Sequence, residues 1–405
     1  MAEAPESSPE EPQAGARVSL LEVAIVFLKL GTIAFGGPAA HIGMMEDEFV
    51  RRRRWISQER FLDLLGAVNL IPGPNSTEMA IYIGYLRAGW AGLVIAGVCF
   101  ILPAMLLVTG IAWTYQNYGG LPQFAGLLYG VKPVVIAVIL QALFGLGRRA
   151  IKTPLLAAIG ALAVVASCFG VDPLLLILLA GAIVGLGRGW TQERGKRLKP
   201  IVVMLLVAGG ILAFSCFAAR LGETEDVKVG IGPVFLYFLK VGSVLYGSGY
   251  VLLAFLQADL VGRWHWLTQA QLLDATAVGQ VTPGPLFTTA TFIGYVLGSW
   301  QGAIVATVGI FLPSFVFIAI SGPLVPRLRK SPVAGAFLDG VTVASLALMA
   351  VVTWQLGRAA ILDWTSALLA VAAAILLVRF RVNSAWLVLG GAAIGLAVKM
   401  AFVGG

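Results

Sequence analysis

Charge is what this chain has least of. Only 12% of its 405 residues are Asp, Glu, Lys or Arg, against 59% apolar residues, and the mean hydropathy is +0.91. Soluble domains carry about twice that share of charge, so a water-soluble globule is excluded. Histidine is scarce too. His41 and His265 stand alone, with no metal-ligand spacing. Cys99, Cys168 and Cys216 lie far apart in apolar runs, which excludes a disulfide scaffold or a cysteine-bound metal. Enzyme signatures are missing: there is no G-x-S-x-G, no H-E-x-x-H and no phosphate loop ending in Gly-Lys-Ser/Thr. No cofactor is called for. The first 16 residues are polar, acidic and Pro-rich without a basic run, so residues 1–17 are expected as a disordered tail and not as a cleaved signal peptide. The net charge of +8 sits mostly in loops, where it reports topology and points to no nucleic-acid partner.

Apolar runs of spanning length are what the chain has in abundance, from Val18 onward. They predict an all-α polytopic membrane protein embedded in the lipid bilayer. The chain also matches itself at a shift of about 210 residues. Phe27-Leu28-Lys29 falls on Phe238-Leu239-Lys240, Trp55 on Trp266, Leu62-Asp63 on Leu273-Asp274, and Leu102-Pro103 on Leu312-Pro313. The order predicts two homologous membrane repeats, at 18–190 and 230–400. A linker at 191–229 joins them and contains one apolar segment at about 201–219. Loop charges alternate oppositely in the two halves. The loop Gln116–Pro122 has no Lys or Arg, while its counterpart carries Arg327, Arg329 and Lys330. By the positive-inside rule the repeats face opposite ways, an inverted topology.

One string recurs. Pro72-Gly73-Pro74 precedes Asn75-Ser76-Thr77, and Pro283-Gly284-Pro285 precedes Leu286-Phe287-Thr288-Thr289. Pro-Gly-Pro ends one helix and suits the first turn of the next. Gln58–Leu70 and Asn75–Leu86 are each about 20 Å long as helix. The hydrocarbon core is about 30 Å thick, so neither arm crosses alone. The segment predicts a re-entrant hairpin with Pro-Gly-Pro at its tip, and Thr268–Ser299 predicts a second. Gly36-Gly37-Pro38 and Gly247-Ser248-Gly249 predict further breaks. Broken backbone at membrane depth is tolerated where it lines a cavity, and paired breaks in two halves point to a transporter site.

The helix starting after each tip presents free N–H groups and a positive dipole end, which suits an anion. Asn75, Ser76 and Thr77 add donors in the first half, Thr288 and Thr289 in the second. Alternatively the breaks are structural kinks with polar caps. Lys29 and Lys240 occupy matching places deep in apolar segments, where a lysine costs about 2.5–3.5 kcal/mol. They bind an anion, snorkel, or pair with acids such as Glu22 or Asp259. Glu78, one turn beyond the first tip, has no acidic counterpart. It binds a coupling proton, or it neutralises Lys29 or Lys132. Asp63 and Asp274 are read as capping or orienting the first hairpin arm. Arg51–Arg54 is read as a topology anchor.

Phe35-Gly36-Gly37-Pro38 with His41, the charged segment to Trp55, and Asn69 to Pro74 resemble the signature of the chromate ion transporter (CHR) family, in its long two-domain form. The resemblance covers about 18–400. It implies a multi-pass protein of the bacterial or archaeal inner membrane, with oppositely oriented halves, that exports chromate and confers chromate resistance. The helix breaks, the tip donors and the paired lysines together give the expected substrate contacts: Lys29, Gly36, Gly37, Pro72, Gly73, Pro74, Asn75, Ser76, Thr77, Lys240, Gly284, Pro285, Thr288 and Thr289. Sulfate, another tetrahedral dianion, is the second candidate substrate. A membrane-embedded enzyme or scaffold is a reading of another class. A homodimer is compatible with the sequence.

Overall fold

The computed structural model describes residues 18–35, 37–191, 229–246, 249–321, 332–380 and 382–403. The expected tail at 1–17, the linker segment at about 201–219, Gly36, Gly247, Ser248 and the basic loop with Arg327, Arg329 and Lys330 lie outside those residues. Among the described residues every regular element is helical. The first half runs α1 (Leu20–Ile33), α2 (Gly37–Glu46) continued by a π-helical turn (Asp47–Arg52), α3 (Gln58–Val68), α4 (Asn75–Tyr118), α5 (Pro122–Ala150), α6 (Pro154–Cys168) and α7 (Pro173–Thr191). The second runs α8 (Ile231–Val244), α9 (Leu252–Phe255) continued by a π-helical turn (Leu256–Arg263), α10 (Gln269–Val281), α11 (Thr289–Ser321), α12 (Pro332–Ala360), α13 (Trp364–Arg379) and α14 (Ser384–Val403).

Local chemistry starts these helices. Ser57 and Thr268 cap α3 and α10, their hydroxyls accepting from the N–H groups of Arg60 and Gln271 at 3.2 Å. Asp63 and Asp274 are therefore not the caps; both lie inside their helices. Pro at the first turn opens α5 and α6. Five helices among the described residues are long and apolar enough to cross a membrane. Leu106 and Phe144 are exposed on two of these helices, and Leu162 and Val371 on shorter apolar ones, a surface suited to lipid. The protein is an all-α polytopic membrane protein.

Backbone geometry recurs at the spacing of the sequence match. Six of the left-handed residues form three pairs: Arg54 (φ 49°) and His265 (φ 52°), Gly73 (φ 138°) and Gly284 (φ 96°), Gly89 (φ 64°) and Ser299 (φ 53°). His265 thus holds a turn. The last pair kinks α4 and α11, so the helix after each tip is a short arm followed by a longer span. The expected breaks before the hairpins are present: α1 stops at Ile33 and α8 at Val244.

The halves interlock. α5 packs on α14, and α7 packs on α12, which is the same pair with roles exchanged. Glycines permit both crossings. A methyl group on Gly391 would sit 2.7 Å from the Gly130 carbonyl oxygen, and one on Gly340 would sit 2.9 Å from Gly181 Cα.

Candidate functional site

Each hairpin tip docks on the other half. The Gly73 N–H donates to the Leu245 carbonyl at 2.7 Å, and the Gly284 N–H donates to the Ala34 carbonyl at 2.8 Å. Ala34 and Leu245 are the residues at which α1 and α8 stop. A carbonyl at a helix C-terminus has no partner within the helix, so it is free to take the tip amide. One broken helix end thus receives the other repeat's tip, twice. Both tips are buried, at 71–74 and at 283–286.

Pro74 opens α4 with no side-chain cap, and Pro285 opens the turn Leu286–Thr288 in the same way. The N–H groups of Thr77 and Glu78 donate to the Pro74 carbonyl, at 2.8 and 3.0 Å, which leaves those of Asn75 and Ser76 without an intrahelical acceptor. The side chains differ between halves. In the first, Ser76 and Thr77 are buried, and the Thr77 hydroxyl has no hydrogen-bond partner among the described residues. Asn75 Nδ2 donates to Asn69 Oδ1 at 2.5 Å across the tip. In the second, the Thr288 and Thr289 hydroxyls donate to the carbonyls of Pro285 and Leu286, both at 2.8 Å. Their protons are already used, so they offer an anion no donor. Gly37 opens α2 with φ 77° and Pro38 behind it; Gly36 lies outside the described residues.

The two lysines share a sequence position but not an environment. Lys240 is buried, its Nζ 3.5 Å from Asp259. Lys29 is exposed beside Leu28 and makes no ion pair among the described residues. The reason lies in the π-helical turns. Glu48 matches Asp259, but Arg53 takes Glu48 at 2.7 Å and reaches Glu22 at 2.5 Å. The second half has Trp264 where the first has Arg53, so Asp259 falls to Lys240. Most of Arg51–Arg54 is likewise engaged: Arg51 lies 3.6 Å from Glu46 and Arg52 lies 2.8 Å from Asp47.

Sequence reasoning missed three features. Lys132 Nζ lies 2.9 Å from Asp274 Oδ1, and Tyr115 donates to Asp274 Oδ2 at 3.1 Å, a part-buried triad joining the halves. Their sequence separation hid it. His41 is buried with its Nε2 3.0 Å from the Ala34 carbonyl, the same oxygen that receives Gly284. Ser314 of α11 faces Gly73, where a methyl would meet its Oγ at 2.6 Å. A repeat-by-repeat reading carries the signal for Ser314, since its counterpart is Ala104. Glu78 is fully buried, and no ion pair among the described residues includes it, so the reading that it neutralises Lys29 or Lys132 does not describe this state.

One family model, described as chromate transporter, matches twice, over residues 21–186 and 233–396. The chain belongs to the chromate transporter family. Its two matches fall on the two interlocked halves. Relatives of this chromate transporter-family chain include a chromate transport protein of Cupriavidus metallidurans, 32% identical over 93% of this chain and 92% of that protein. A chromate transport protein of Pseudomonas aeruginosa is 33% identical over 82% and 80%. An uncharacterized transporter of Bacillus subtilis is 30% identical over 32% of this chain and 72% of its own length, so it is a shorter protein of about one repeat. No solved structure matches the chain.

Proposed function

We propose that this protein exports chromate across the cytoplasmic membrane, and so confers chromate resistance, by holding the dianion near the midplane between two Pro-Gly-Pro tips. The observation that carries the reading is the reciprocal docking of Gly73 on Leu245 and Gly284 on Ala34, which brings each uncapped helix start against the opposite half. Membership of the chromate transporter family and the names of its relatives support the substrate. On this reading Asn75, Ser76 and Thr77 supply most of the donors, and Gly73 and Pro74 set the turn that presents them. Pro72, Gly37, Gly284 and Pro285 shape the backbone, and Thr288 and Thr289 lock the second turn. Energetics favour export. One charge moved across 100 mV is worth about 2.3 kcal/mol, so a dianion leaving a negative interior gains roughly twice that with no coupling ion. The test is chromate uptake into inverted vesicles under an imposed potential, with sulfate as competitor. Uptake indifferent to the potential, or absent, would defeat the proposal.

The two repeats, on the same reading, cross the membrane in opposite senses. A cysteine placed at Gly119 should react with a membrane-impermeant reagent from the periplasm, and one placed at Ser331 should not. Equal labelling of both would refute the inversion.

The lysines divide the work. Lys29 is the one whose charge no described acid neutralises, so Lys29→Gln should weaken chromate binding by about 1–3 kcal/mol, the range for a charge-assisted hydrogen bond. Lys240→Gln should instead lower thermal stability by stranding Asp259. Affinity and melting temperature, measured on both variants, separate the two roles. Normal chromate affinity in Lys29→Gln would remove that lysine from the site.

A further inference from the structure

Glu78 is the most conspicuous buried group that anion binding does not use. It is wholly inaccessible, and neither carboxylate oxygen makes a hydrogen bond of good geometry among the described residues. The same holds for the hydroxyl of Ser314. Both converge on one atom. A methyl group on Gly73 would collide with Glu78 Oε1 and lie 2.6 Å from Ser314 Oγ. The carboxyl comes from the first half and the hydroxyl from the second. Between them sits the glycine whose N–H bonds Leu245.

The other tip is the control that the repeat provides. Gly284 docks on Ala34 in the same way. In the first turn after that tip stand Thr288 and Thr289, whose hydroxyls are turned to the Pro285 and Leu286 carbonyls. At the place of Ser314 stands Ala104, and a methyl on Gly284 would meet its Cβ at 2.7 Å. Docking a tip therefore needs no acid. The first tip alone carries one, and it carries a hydroxyl to match.

We propose that Glu78 and Ser314 form a proton-operated latch on the first hairpin tip. With the tip docked, Glu78 is a neutral carboxylic acid that donates its proton to Ser314 Oγ. An ionised carboxylate sealed in this place would have no compensating partner, which is prohibitive, while the neutral acid satisfies two orphaned groups at once. When the tip leaves Leu245, water reaches the carboxyl, the O–H bond breaks, and the proton passes to water. Proton binding and tip docking are then two faces of one equilibrium, and each favours the other by the same factor. The groups facing Glu78 fit this. Ser314 comes from α11 and the Tyr246 phenol from the end of α8, and no ion pair among the described residues supplies a counter-charge. Raising pH should therefore undock the first tip and leave the second docked. The latch gives the transport reading a means of timing access to the site, but it does not depend on which anion is carried.

Amide hydrogen exchange of the full chain in lipid nanodiscs tests it, without any substrate. Protection of the segment 70–82, corrected for the intrinsic rate, should fall by up to about tenfold per pH unit above the transition, as one linked proton requires. The equivalent segment 281–293 should not change. Glu78→Gln, a mimic of the neutral acid, should keep the first tip protected at every pH. Glu78→Thr, which installs the second half's residue, should also abolish the pH dependence. Ser314→Ala should keep the dependence but lower the protection. Infrared difference spectra should show a protonated carboxylic-acid band that is lost in Glu78→Gln. If both Glu78 variants retain the wild-type pH dependence, the latch is wrong. Failure of chromate flux in vesicles would overturn the transport reading alone.

Discussion

Lys132→Met should destabilise the protein by about 3–5 kcal/mol, the largest loss expected from any single substitution here. Lys132 reaches from α5 to Asp274 in the first arm of the second hairpin, at 2.9 Å, and the Asp274 side chain is only 5% exposed. Removing the cation leaves a buried carboxylate held by the Tyr115 hydroxyl alone. Burying a charge without its partner costs far more than the pair itself contributes. The double variant Lys132→Met/Asp274→Leu should therefore recover most of the loss, because two apolar side chains fit an apolar interface. Asp274→Leu alone should cost less than Lys132→Met, since the Lys132 side chain, at 20% exposure, can turn toward solvent. Melting of the purified variants gives the four corners of the cycle. Lys132→Met as mild as the double variant would show that the pair is not coupled.

Gly73→Ala should be nearly as severe, and its damage should appear in transport before it appears in insertion. At φ 138° an alanine is strained wherever it stands, at a cost of about 1–3 kcal/mol. Here it would also strike the Glu78 carboxyl and crowd Ser314. The peptide must shift, which breaks the bond from Gly73 N–H to Leu245. Each 1.4 kcal/mol taken from the docked arrangement lowers its population about tenfold. Gly37→Ala is the comparison, because Gly37 is also left-handed, at φ 77°, but has open space where a methyl would go. It should suffer the strain without the collision. Vesicle flux normalised to inserted protein reads the difference. Equal flux in the two variants would mean that the packing around the first tip is unimportant.

The sequence by itself determined the class and the places where helices break. Those follow from local rules. Charge content and apolar run length decide what a bilayer accepts, and Pro-Gly-Pro and Gly37-Pro38 act within a few residues of themselves. The arms of the first hairpin fell where proline and glycine placed them, with α3 ending at Val68 and α4 starting at Asn75. What needed the tertiary structure was every decision about partners. Asp63 and Asp274 read as capping or orienting the first hairpin arm because a carboxylate near a helix start often caps it; neither is the cap, and Asp274 bonds Lys132 and Tyr115 from distant helices. Lys29 and Lys240 looked equivalent because their local strings match. Which acid each could reach depended on Arg53 in one half and Trp264 in the other, residues more than twenty positions away. The docking of each tip on the opposite repeat, and the isolation of Glu78 beside Ser314, are invisible along the chain for the same reason. Burial and hydrogen bonding depend on distance in space, and in an interlocked pair of repeats the neighbours of a residue lie mostly in the other half.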